Sequence, residues 1–153
     1  MVNLSSFREV QAAFLMLTLL FTFARTESPL PKAVSGAGQF DATQHWGVED
    51  VQVTSLEGKR TVGLRMKAIK QDQRMERPEA AGNEDWVWIG DVDDQDFSIC
   101  RWLQLVFAFH GAARLKGEPF FVQQAQAAAP GGARPKPLTY AQALSDVRKL
   151  WAR

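Results

Sequence analysis

From Ala12 to Ala24 (AAFLMLTLLFTFA) apolar residues follow one another almost without a break, the only polar side chains being two threonines. Ser6 with Glu9 has the spacing of a capping box, in which a hydroxyl and a carboxylate satisfy the free amides of a first helical turn. The expectation is a helix from about Phe7 to Ala24, ended by Pro29 and Pro31, which cannot continue helical hydrogen bonding. A glycine-containing loop, Ser35–Gly38, follows, and the β-branched residues Val48, Val51 and Val53 then mark a strand from about Val51. After a turn over Leu56–Lys59 with Gly58, residues Thr61–Ile69 alternate, Val62, Leu64, Met66 and Ala68 on one side and Arg65 and Lys67 on the other. The two runs read as a hairpin. Lys70 falls on the Ala68 side, a change of phase that points to a bend or bulge.

Residues 71–84 are polar, contain Pro78 and Gly82 and read as a loop. Asp85–Gly90 (DWVWIG) reads as a third short strand. Asp94 or Asp96 can cap a helix whose apolar stripe runs through Phe97, Ile99, Trp102, Leu103, Val106, Phe107 and His110. Residues 123–137, rich in alanine, glycine and proline, read as a flexible insertion or linker. A second capping box, Thr139 with Gln142, opens a last helix that carries Leu144, Val147, Leu150 and Trp151, and Leu138 with Ala143 can staple its start. The pattern is that of an α+β fold, mainly helical with a small three-stranded antiparallel sheet, in one domain over residues 1–153.

Composition narrows the chemistry. One cysteine, Cys100, excludes an internal disulfide framework and a thiolate-rich zinc site, and two histidines, His45 and His110, leave little for any metal. No metal or cofactor is expected. Asp91, Asp93, Asp94 and Asp96 lack the ligand order and closing glutamate of a calcium loop, and a helix start explains them better. The glycines of SGAGQF complete no dinucleotide fingerprint. His110 continues an apolar stripe and reads as a core or interface residue, and Tyr140, at a helix start, as a packing residue. The thirteen-residue run Ala12–Ala24 is too short for a bilayer span of about 20 helical residues, so no membrane span is expected.

The net charge of +1 conceals a segregated distribution. Residues 57–77 hold seven bases (Lys59, Arg60, Arg65, Lys67, Lys70, Arg74 and Arg77) and three acids; residues 78–100 hold seven acids and no base; residues 101–153 hold eight bases and two acids. A basic hairpin and a basic tail suit a phosphate-bearing partner, and a solvated polar face is the alternative.

The order of segments carries a resemblance. An apolar helix running into FARTES is followed by HWGVEDVQV, TVGLRMKAIKQDQ, DWVWIGDVDDQDFSICRWLQLVFAF, GEPFFV and KPLTYAQALSDVRKL. Over Phe7–Arg153 this order resembles the first half of the catalytic domain of tyrosine recombinases, the phage-integrase family, with a retrotransposon-type flavour. The resemblance implies DNA as the partner and recombination or integration as the ancestry. It implies Arg25, delivered by the apolar helix, and Lys70, opening the signature Lys70-Gln71-Asp72-Gln73, as catalytic residues; Ser28 stands where the family usually has a glutamate. Arg65, Lys67 and Arg74, near the hairpin, would contact the nucleic acid. The family's second arginine box and nucleophilic tyrosine have no counterpart here: His110-Gly-Ala-Ala-Arg114 has the wrong spacing, and Tyr140 matches a helix opening. The chain is thus expected to bind DNA, to be inactive by itself, and to be nuclear or cytoplasmic. A fragment, a degenerate element and a truncated reading are all compatible with this, as is self-association on DNA. Two other readings stand beside it: a small secreted protein with a signal peptide over residues 1–25, and a protein-interaction module without a DNA role.

Overall fold

The computed structural model describes residues 2–22, 30–67, 86–110, 116–125 and 134–152. Its first helix, α1 (Phe7–Thr22), starts where the Ser6 hydroxyl accepts the Glu9 amide N–H. The reciprocal arm of the expected capping box differs: Glu9 reaches back to the amide of Asn3 at 2.9 Å. Val10, Ala12, Ala13, Phe14, Leu15 and Leu17 are buried, so α1 is covered nearly all round, with α2 and α3 packed against it. Its two buried polar residues are satisfied. The Thr18 hydroxyl donates to the Phe14 carbonyl at 2.8 Å, and the Gln11 carboxamide both donates to the Val122 carbonyl and accepts the Val122 N–H, each at 2.9 Å.

Strands β1 (Val51–Leu56) and β2 (Lys59–Arg65) form the expected hairpin. Its turn has two residues, Glu57 and Gly58, both at positive φ (52° and 78°), the combination whose twist suits a two-residue hairpin. Strand β3 (Trp86–Gly90) pairs antiparallel with β2, which makes β2 the centre of a three-stranded antiparallel sheet ordered β1-β2-β3. β2 ends at Arg65, where its ladder with Trp86 stops, short of the expected end at Ile69. Val62 and Leu64 point into the core, as alternation requires, and α2 packs against β2.

Helix α2 (Ile99–His110) starts later than the aspartates suggested. The capping group is Ser98, whose Oγ accepts the Arg101 N–H at 3.0 Å and donates to Asp91 at 2.7 Å; Asp94 instead accepts the Asp96 N–H in a turn before the helix. Phe97 therefore lies outside the helix and is exposed, while Ile99, Trp102, Leu103, Val106 and His110 keep the buried stripe. His110 packs edge-on against Phe7 at 4.9 Å, in keeping with its core reading. Helix α3 (Tyr140–Trp151) opens with both arms of the Thr139/Gln142 box formed. It is tied to α1 by a two-pronged ion pair in which Arg8 meets Asp146 at 3.0 and 2.8 Å.

Segment 116–122 has no regular element, yet it supplies the centre of the core. Phe120 and Phe121 cross at 82° and surround Phe14 with Trp46 beyond, all fully or almost fully buried. The two ends of the 123–137 stretch are pinned together, Gln123 N–H donating to the Lys136 carbonyl and Leu138 N–H to the Phe121 carbonyl; residues 126–133 lie outside the described residues. Among the described residues no helix is long and apolar enough to cross a membrane. Between α1, α2 and α3 an open apolar groove of about 1100 Å³ is lined by Leu17, Leu20, Phe97, Trp102, Leu150 and Trp151.

Candidate nucleic-acid interface

Of the residues singled out from sequence, Arg25, Lys70 and Arg74 lie outside the described residues. Arg65 and Lys67 stand together at the end of β2. Alternation put them on one outward face, but the strand stops at Arg65, and beyond it the ladder no longer dictates side-chain direction. Lys67 turns inward. Its ammonium donates to the carbonyls of Ala42 (2.6 Å) and His45 (3.4 Å) and pairs with the carboxylate of Asp50, leaving the side chain 12% exposed. Arg65 stays 46% exposed, with Nη1 4.0 Å from Oδ1 of Asp50.

Asp50 is the residue that sequence reading missed. It closes a single 3-10 turn, Val48–Asp50, is fully buried, and accepts the Gly47 N–H at 2.7 Å. A signal exists in hindsight: in GVED the acid three residues after a glycine returns to that glycine's amide. Two cations around one carboxylate leave the cluster with a net charge of +1. Lys67 compensates Asp50 from inside, so the outward guanidinium of Arg65 keeps attraction for an anion in solvent.

The same strand end builds an outward surface. Residues paired across the ladder share a face, so Arg65 with Trp86, Gly63 with Trp88 and Gln52, and Thr61 with Thr54 lie on the side of the sheet opposite Val62 and Leu64. Lys59, paired with Leu56, continues this face toward the turn. The six-membered ring of Trp88 occupies the space that Gly63 leaves open: a Cβ there would come within 2.5 Å of it. Trp86 and Trp88 lie nearly parallel, at 21° with centroids 5.7 Å apart, and Trp88 remains 41% exposed.

Behind the cluster, burial pushes the His45 imidazole below its ordinary value of 6.5, the Lys67 charge pushes the same way, and the Asp41 carboxylate opposes both only in part. Nδ1 of His45 accepts the Asp41 N–H at 2.9 Å, which a protonated nitrogen cannot do. The Asp41 carboxyl is held below its usual range by the Thr43 amide and hydroxyl. Burial raises that of Glu49, but hydrogen bonds from the Gly117 amide and its own amide, with the charges of Lys67 and Lys116, bring it below the usual range. All three groups bind protons less readily folded than unfolded, so each contribution is complete above its unfolded pKa and is lost as pH falls. The melting temperature is therefore expected to fall in two stages on acidification, first below about pH 6.5 as His45 is titrated and again below about pH 4.5 with the carboxylates. Thermal melts across this range check it, and His45→Gln should remove the first stage and keep the second.

Cys100 is buried beside Asp91, and burial first, then that carboxylate, raises its thiol to about 11, so it stays a protonated thiol near neutral pH. Among the described residues no three His, Cys, Asp or Glu side chains converge as a metal site. No protein-family model, curated protein or solved structure matches the chain.

Proposed function

We propose that the chain is a DNA-binding domain descended from the first half of a tyrosine recombinase catalytic domain, without strand-cleaving activity by itself. The observation that supports this best is the order of elements in the described residues. A buried apolar helix, a sheet ordered β1-β2-β3 and two further helices follow one another as the resemblance implies, and the cationic end of β2 leads directly in sequence to Lys70-Gln71-Asp72-Gln73. In the ancestral chemistry a tyrosine attacks a DNA phosphodiester. Arg25 would steady the charge on the phosphoryl oxygens with a planar, permanently charged fork, and Lys70 would protonate the leaving sugar oxygen. Arg65, Lys67 and Arg74 belong to the basic hairpin region that would face the phosphates, with Lys67 acting through Asp50 and Arg65 directly. Nuclear or cytoplasmic placement follows from a DNA partner. Self-association on DNA belongs to the same proposal, and the apolar groove between the three helices is the surface suited to it.

Binding is expected to be weak, indifferent to sequence and steeply dependent on salt, because neutralised phosphates release counterions, with log K falling by about 0.9 per phosphate contact for each unit of log[salt]. Fluorescence anisotropy with unrelated labelled oligonucleotides across a salt series measures this. On a nicked suicide substrate, denaturing gels should show no covalent protein–DNA adduct. An adduct abolished by Tyr140→Phe would reveal a nucleophile where the resemblance finds none. Absent or salt-independent binding would remove the DNA reading.

A further inference from the structure

The reading of this face as a DNA surface leaves its two tryptophans unexplained, since phosphate contacts need cations and not indoles. Trp86 and Trp88 are large apolar rings placed at alternate positions of a five-residue strand, on the side of the sheet away from the core. Gly63, directly opposite Trp88, has no side chain to lift the ring, so the indole leans onto the central strand and stacks with Trp86. The pair forms a ledge with exposed ring surface. Arg65 flanks it opposite Trp86, and Lys59 lies on the same face about 20 Å further along β2, six residues at about 3.3 Å each. The strand positions between them, Gln52, Thr54, Thr61 and Gly63, carry no charge. Among the described residues, the carboxylate beside Arg65, Asp50, is compensated by Lys67, and Glu57 stands beyond Lys59 in the turn.

We infer that this sheet face is a stacking platform for unpaired nucleotides, with Trp86 and Trp88 receiving the bases and Arg65 and Lys59 the phosphates. The inference rests on the DNA reading and narrows it from any duplex to single strands. In a duplex the faces of the bases are covered by their neighbours, and an indole ledge has nothing to stack on. In a single strand each base offers a face, and flanking cations meet the backbone. A neutral polysaccharide would also use aromatic rings but would gain nothing from Arg65 and Lys59.

The test is fluorescence anisotropy of the full chain with a labelled oligothymidine and with the same strand paired to its complement, at several salt concentrations. The expected result is at least about tenfold tighter binding of the single strand. Trp88→Ala and Trp86→Ala should each weaken it about tenfold and leave duplex binding unchanged. Trp88→Phe, which keeps a ring over Gly63, should retain most of the affinity, and Arg65→Gln should lower both affinity and salt slope. Circular dichroism melts of each variant separate loss of fold from loss of the platform. Equal affinity for the two forms, or single-strand binding unchanged by Trp88→Ala in a folded variant, would overturn the platform while leaving the broader DNA reading intact. Failure to bind either form would overturn both. Salt-insensitive binding of a neutral glucan such as laminarin, weakened by Trp88→Ala, would reassign the face to sugar.

Discussion

Replacing Asp50 with alanine is expected to destabilise the protein by about 3–5 kcal/mol, the cost of removing one partner of a buried ion pair. The size follows from what is left behind. The Lys67 ammonium, almost covered, would retain only the Ala42 and His45 carbonyls, and the Gly47 N–H would lose its acceptor at the start of the 3-10 turn. For a chain of this size the melting temperature should drop by roughly 6–20 °C. Asp50→Asn, which can still accept from Gly47, should cost less. The discriminating variant is the double replacement Asp50→Ala with Lys67→Met: removing both charges together should recover much of the loss, giving a coupling energy of about 1–3 kcal/mol in a double-mutant cycle. An additive result would mean that the two groups do not hold one another. The cluster also predicts a functional sign. Asp50→Asn raises its net charge from +1 to +2, so any variant that stays folded should bind DNA more tightly at low salt and lose that advantage as salt is added.

Asp50 also shows where sequence reading reached its limit. Elements specified by local chemistry were legible: the Thr139/Gln142 box opens α3 as read, Gly58 turns the hairpin, and Val62 and Leu64 face the core. What failed depends on partners distant in the chain. Lys67 departs from the β2 pattern because Asp50, seventeen residues earlier, draws its ammonium inward. The cap of α2 is Ser98 rather than Asp94 or Asp96 because Asp91, leaving β3, accepts from the Ser98 hydroxyl and fixes its position. The tryptophan ledge depends on register: DWVWIG reads as a strand by composition, but only the pairing of Trp88 with Gly63 places the indole over a glycine. The basic residues near the hairpin were therefore found from charge alone, whereas the carboxylate that steers one of them and the rings beside another required the fold.

The second large effect is expected at Gln11, the one amide in the buried stretch of α1. Gln11→Leu conserves approximate volume and raises the hydrophobicity of an already apolar helix, so on composition alone it should be harmless. The structure gives the opposite expectation, because both the N–H and the C=O of Val122 take their hydrogen bonds from this carboxamide, at 2.9 Å each, in a fully enclosed site. Leucine would leave two buried backbone groups without partners, at about 1–3 kcal/mol each and about 2–5 kcal/mol together. The loss should concentrate in the Phe120-Phe121-Val122 segment, which has no ladder of its own and holds Phe14 and Trp46 in the core. Urea denaturation measures the total, and hydrogen exchange at the Val122 amide should accelerate more than at amides in β2. The same substitution separates the two readings of the N-terminal apolar run. If residues 1–25 were a leader removed from a secreted protein, Gln11→Leu could not alter the mature fold, and its stability would match the parent. A loss of several kcal/mol in a chain that still carries Phe7–Thr22 requires α1 to be part of the folded core, where the Gln11 clamp joins it to the segment that fills the centre of the molecule.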